Sequence, residues 1–159
     1  MKTLYVLRHA KAVSDGPGLD DVDRPLADGG RRDVARMAEH LAAGDIRPDV
    51  VCCSPAVRTR QTLHELFSAI GSPQIVFEDV LYNASVNDLM SLVRAIPPGV
   101  GSAMIIGHNP GVADFVGTLT KAHVEFPAGA LATLDVPVDE WSAMATAELR
   151  NMMSPKQLD

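Results

Sequence analysis

Aromatic side chains are scarce in this 159-residue chain: one Trp, two Tyr and four Phe make up 4% of it. The core must therefore be filled by Val, Leu, Ile, Ala and Met. Cysteine is scarcer still, at Cys52 and Cys53 only. Adjacent side chains on a strand point to opposite faces, which suits a disulfide poorly. The pair reads as two reduced, buried thiols in a cytoplasmic protein. No apolar run approaches the length of a membrane span. The one at the N-terminus is cut by Arg8 and His9 before it reaches signal-peptide length, so neither membrane partner nor targeting segment is expected. Basic charge is in deficit, with 14 Lys and Arg against 20 Asp and Glu for a formal net charge of −6. That balance argues against nucleic acid as a partner, while leaving room for a local cationic pocket. Repeats, low-complexity blocks and long linkers are missing, and the length fits one domain over residues 1–159.

What is present is an alternation of short apolar runs with helical stretches. The runs predict strands at Thr3–Leu7, Val50–Cys53, Ile75–Phe77, Ala103–Ile106 and Ala130–Val136, with a weaker one at Trp141–Leu149. Helices are predicted at Ala27–Ala43, Pro55–Ile70, Val86–Ile96 and Pro110–Thr120; the first spaces Val34, Met37, Ala38 and Leu41 as an amphipathic helix does. "PDVVCC" and "SAMIIG" are continuously apolar, the pattern of strands covered by helices on both faces. Together these predict an α/β protein, a three-layer α/β/α sandwich on a mostly parallel central sheet, with antiparallel strands added near the C-terminus.

Three of the predicted strands run into cations or imidazoles. The first ends in Arg8 and His9. The second leads into "CSPAVRTRQT", with Arg58 and Arg60, and "SAMIIGHNPG" ends in His108. Ligands of open α/β sheets bind outside the carboxyl ends of the strands, so parallel neighbours would bring Arg8, His9, Arg58 and His108 to one edge. Ser54-Pro55 and Asn109-Pro110 read as N-caps followed by proline at the first helical position. Helix N-termini carry unpaired N–H groups and partial positive charge, which disfavours a cation such as Arg58 there unless an anion is bound. Two arginines, two histidines and two helix starts describe a site for a dianionic phosphate. Neighbouring guanidinium groups keep an imidazole neutral. A neutral His9 can attack phosphorus and form a phosphohistidine that water resolves, while Arg8, Arg58 and His108 hold the oxygens. No metal or other cofactor is expected: paired arginines repel a divalent cation, and the histidines lack zinc-motif spacing.

These segments resemble a known family. "LRHAKA" is similar to the LRHG/LRHA signature of the histidine phosphatase superfamily, "CSPAVRTRQT" to its SPxxRxxQT segment and "GHNPGV" to its second histidine motif. "DRPLADGG" resembles the RPLTxxG stretch that follows the first motif in short members. "MMSP", Met152 to Pro155, resembles the ending of SixA-type protein-histidine phosphatases. The resemblance implies a phosphoglycerate mutase-like fold, with His9 as the phosphorylated nucleophile and Arg8, Arg58 and His108 as the phosphate pocket. Arg60 lies where many relatives carry a small residue and takes no role from it.

Larger members of the family it resembles protonate the leaving group with a carboxylate, often from a segment inserted after the second arginine. Here only 49 residues lie between Arg58 and His108, and a strand and a helix take most of them. Loop position makes Asp21 and Asp23 possible general acids, with Asp20, Glu78 and Asp79 as further candidates. A phosphohistidine departs as imidazole, whose pKa is about 6.5, and so needs less help than an alkoxide. The expected substrate is therefore a phosphorylated protein bearing phosphohistidine. The alternatives are a small phosphorylated substrate such as a sugar phosphate or nucleotide, and a phosphate-binding module without turnover.

Overall fold

The computed structural model describes residues 1–158. Its elements follow in the order β1 (Lys2–Arg8), α1 (Asp28–Ala43), β2 (Val50–Cys53), α2 (Val57–Leu66), β3 (Gln74–Phe77), α3 (Val86–Arg94), β4 (Ser102–Gly107), α4 (Gly111–Thr120), β5 (Leu131–Val136) and β6 (Glu148–Met153). The strands form one sheet in the order β3-β2-β4-β1-β5-β6. The pairs β3·β2, β2·β4 and β4·β1 are parallel, and β1·β5 and β5·β6 antiparallel. This is the mixed α/β architecture expected, with the antiparallel strands at one edge.

Side-chain alternation sorts the core into two layers. Leu4, Val6, Cys52 and Ile105 pack with Leu89, Val93, Phe115 and Val116 of α3 and α4. Leu7, Cys53, Met104 and Ile106 pack with Val34, Met37, Leu41, Leu63 and Leu66 of α1 and α2. Cys52 and Cys53 thus fall in opposite layers, and both are free thiols. The central strands need apolar residues on both faces, which explains their unbroken runs. Register sets the ends level: Arg8 lies opposite Gly107, Leu7 and Cys53 opposite Ile106, and Cys53 opposite Phe77. The segments after β1, β2, β3 and β4 therefore leave the sheet at one edge. No helix among the described residues is long and apolar enough to cross a membrane.

Most ends shift by one to four residues from the sequence expectation, and three of the differences have a visible physical cause. α2 starts at Val57, with extended Ala56 as its N-cap, rather than at Pro55. Ser54 still belongs to the sheet through its N–H bond to Ile106 O (3.1 Å), so the chain cannot turn helical before Ala56. Its hydroxyl nonetheless accepts from the Ala56 N–H at 3.3 Å. α4 has Pro110 itself as N-cap, and the Asn109 side chain donates to Phe126 O instead of capping. The strand expected at Trp141–Leu149 lies at Glu148–Met153, and Trp141–Ala143 is a 3-10 turn. Trp141 is fully buried and donates Nε1–H to Val100 O at 2.7 Å, while Arg94 Nε holds Met144 O at 2.8 Å. These bonds tie the segment to the α3 side of the core, and pairing with β5 begins only at Glu148.

Candidate active site

His9 follows the last residue of β1 and is pinned from both sides. Its N–H donates to Gly107 O (3.2 Å), and its carbonyl accepts from Gly129 N (2.9 Å). The ring is buried, with Nδ1 2.7 Å from Ala10 O. A carbonyl oxygen can only accept, so Nδ1 carries the proton and Nε2 keeps the lone pair. Arg58 Nε–H donates to that Nε2 at 3.3 Å. The next segment is fixed to α2, because Ala10 N–H donates to Thr62 Oγ1 (3.2 Å) and that hydroxyl donates to Arg58 O (2.8 Å).

The structure brings Arg8, His9, Arg58 and His108 together. The His9 and His108 rings lie 5.2 Å apart between centroids. His108 Nε2 is 2.8 Å from Ser54 Oγ. Arg8 Nη1 donates to Phe126 O at 3.0 Å. Among the described residues, Arg8 Nε and His108 Nδ1 are each buried without a hydrogen-bond partner. Unpaired buried polar atoms are costly and uncommon, and two of them in one cluster of cations and imidazoles suit an oxyanion.

The electrostatics follow from burial and clustered positive charge. Burial chiefly pushes His9 down to about 4, with Arg58 and Arg8 adding to the shift against the opposing Ala10 carbonyl. Burial, then His9 and Arg58, pushes His108 down to about 3. Both rings are neutral at physiological pH. The Arg8 guanidinium is lowered too, by burial and then by Arg58.

The acidic candidates separate. Asp21 stands in a 3-10 turn, Asp21–Asp23. Its carboxylate accepts from Tyr82 Oη, from Arg24 Nη1 (2.7 Å) and from Arg58 Nη2 (3.1 Å), and its carbonyl accepts from Arg58 Nη1 (2.7 Å). The Tyr82 and Arg24 hydrogen bonds, with Arg58, hold it well below the usual carboxylate range. An ionised carboxylate held by three donors has no proton to give, so the acid role suggested by its loop position does not suit it. Asp23 is exposed on the same turn, and its side chain makes no hydrogen bond or ion pair among the described residues. Asp20, Glu78 and Asp79 likewise make none to the four central residues. Arg60 lies 5.2 Å over the Phe77 ring, outside the cluster.

Three contributors carry no clear signal in the sequence. Tyr82 meets His108 edge-on, with centroids 5.5 Å apart, and bonds Asp21. It lies in the segment that leaves the carboxyl end of β3, just past the 3-10 turn Asp79–Leu81, so the strand-end rule points to that segment once β3 is placed. Ser54 has the sequence pattern of a cap alone, yet its hydroxyl meets His108. Arg24, inside "DRPL", donates Nε–H to Val13 O (2.8 Å) and Nη1–H to Asp21.

A family model described as the histidine phosphatase superfamily (branch 1) matches residues 4–94. Among solved structures, the chain is 31% identical to a candidate phosphohistidine phosphatase SixA from Agrobacterium tumefaciens, over 97% of this chain and 98% of that one, with a TM-score of 0.86. It is 25% identical to the protein histidine phosphatase SixA complexed with tungstate, over 99% of each chain, again at a TM-score of 0.86. A chloroplastic Arabidopsis thaliana protein without assigned activity is 27% identical over 150 residues, 88% of this chain and 69% of its own.

Proposed function

The chain belongs to the histidine phosphatase superfamily and is a phosphatase, and from that premise we propose that it hydrolyses phosphohistidine on a protein through a phosphohistidine formed on its own His9. The observation that carries this reading is a neutral His9 whose Nε2 lone pair faces a guanidinium, beside a carboxylate that is held ionised.

In the first step His9 Nε2 attacks phosphorus and the P–N bond of the substrate breaks. The other ring nitrogen of the substrate takes its proton from solvent, at a pKa of about 6.5, so the leaving group departs as neutral imidazole. In the second step a water oxygen attacks the phosphorus of phospho-His9, inorganic phosphate leaves, and Nε2 recovers its lone pair. Arg8 Nε and His108 Nδ1, without partners before substrate binds, take phosphate oxygens, and Arg58 moves its Nε–H from the nucleophile to a third. Asp21 aims Arg58, and Tyr82 and Arg24 aim Asp21. Neither step needs a proton from a carboxylic acid, which is the chemical reason to favour a phosphoramidate over an alkyl phosphate. The likeness to SixA proteins, one holding tungstate, a tetrahedral oxyanion, supports the same reading.

The test compares kcat/KM for a phosphotransfer protein phosphorylated on histidine with values for a panel of sugar phosphates and nucleotides. The phosphoprotein should be preferred by at least about a hundredfold, the smallest contribution expected of a missing general acid. Equal or faster hydrolysis of an ester would identify a small-molecule phosphomonoesterase instead. Binding with no turnover of any substrate would identify a phosphate-binding module.

A further inference from the structure

Beside the proposed site, on the other flank of α2, lies a second concavity of about 650 Å³. Its walls are the outer face of α2 and the edge strand β3: Val57, His64 and Phe67 on one side, Ile75 and Phe77 on the other, with Arg60 across the Phe77 ring. Phe67 and Phe77 are 46% and 47% exposed, and Val80 just beyond β3 is 41% exposed. In a chain with only seven aromatic side chains, leaving two phenyl rings half in water is a cost that asks for an occupant.

The charge of the lining is as informative as its apolarity. The chain carries 20 carboxylates, yet none lines this groove, whose one full charge is Arg60. The groove lies across α2 from the proposed site and shares that helix with it. Val57 precedes Arg58 on α2, so the first turn of that helix presents a cation to His9 and an apolar residue to the groove. The two are separated by about the width of a helix, ~10 Å. A segment of a protein substrate spans that distance in three or four extended residues.

We infer that this groove docks the substrate protein, taking an apolar segment with acidic residues that lies beside its phosphohistidine. The inference rests on the phosphohistidine reading of the site and adds to it the surface that selects a protein. Rings of Phe67 and Phe77 cover the apolar residues, and Arg60 pairs with a carboxylate.

The full chain is compared with Phe67→Ser/Phe77→Ser and with Arg60→Glu, using two substrates: a phosphotransfer protein phosphorylated on histidine, and phosphoramidate itself. Each variant should lose at least about tenfold in kcat/KM on the phosphoprotein, mainly through KM, and stay within about twofold of the parent on phosphoramidate. Retained phosphoramidate turnover also shows that the variants fold. Unchanged phosphoprotein kinetics would overturn the inference, and so would equal losses on both substrates. A parent chain that is dimeric in solution, and made monomeric by the paired Phe substitutions, would assign the groove to a second copy and overturn it as well. A parent that hydrolyses esters but not the phosphoprotein would instead sink the substrate reading, and the docking surface with it.

Discussion

Asp21→Asn removes one negative charge while keeping the shape of the side chain, and it separates two roles for this residue. In the structure the carboxylate receives Tyr82 Oη, Arg24 Nη1 at 2.7 Å and Arg58 Nη2 at 3.1 Å. A charge-assisted hydrogen bond of this kind contributes about 1.5–3 kcal/mol when shielded. The Asp21 side chain is 44% exposed, which reduces the Arg58 contribution to about 1 kcal/mol. Asparagine keeps one oxygen for Arg24 or Arg58, so the turn should persist. At about 1.4 kcal/mol per tenfold, the expected loss in kcat/KM is about fivefold. The assay is steady-state kinetics on phosphoramidate and on an alkyl phosphate between pH 5 and 9. Both substrates should slow by similar factors, with pH profiles of unchanged shape. A general acid behaves differently, because its removal costs about 10²- to 10⁴-fold. That loss would fall on the alkyl phosphate and abolish the alkaline limb of its profile. Such a result would refute the positioning role and restore Asp21 as the proton donor.

Tyr82→Phe keeps the ring beside His108 and removes the hydroxyl from Asp21; a fall of about two- to threefold in kcat/KM, with Asp21 titrating higher by carbon-detected NMR, is expected for the loss of one exposed hydrogen bond. His9 and His108 are lowered from 6.5 to about 4 and about 3, so the unfolded chain binds their protons first: the native state is undiminished above pH 6.5 and loses stability as pH falls through that window, by at most about 3 kcal/mol for His9 at about 1.4 kcal/mol per unit. Thermal melts from pH 7 to 4 should show this, and His9→Gln should flatten the curve. Gly30→Ala places a Cβ 2.1 Å from the Lys11 carbonyl oxygen, a backbone atom two residues from His9; a loss of about 3 kcal/mol or more by denaturant titration is expected, with reduced turnover.

Much of this site can be read from the chain because its geometry is set by short-range rules. Continuous apolar runs at Val50–Cys53 and Ala103–Ile106 are too short for helices and fit strands buried on both faces, and parallel strands present their carboxyl ends together. Arg8, His9 and His108 follow directly from that, and Arg58 from its place in the first turn of the next helix. What escapes depends on contacts between distant segments. Tyr82 matters only because the Asp21 turn, 61 positions away, comes within reach of its hydroxyl. Ser54 looks like a cap, yet its backbone remains in the sheet and its hydroxyl meets His108. Trp141 sits in a pattern weak enough to pass for a strand, because its burial is decided by Val100 and α3 rather than by its neighbours in sequence. The acids at Asp21 and Asp23 look alike in the sequence, and only the three donors around Asp21 distinguish them.

The most direct measurement is a rapid-quench experiment with a radiolabelled phosphohistidine protein. Within one turnover the chain should carry up to one phosphate, labile to acid and stable to alkali, mapping to His9 and missing from His9→Asn. Label on any other residue, or turnover by His9→Asn at the parent rate, would contradict His9 as the group that attacks phosphorus.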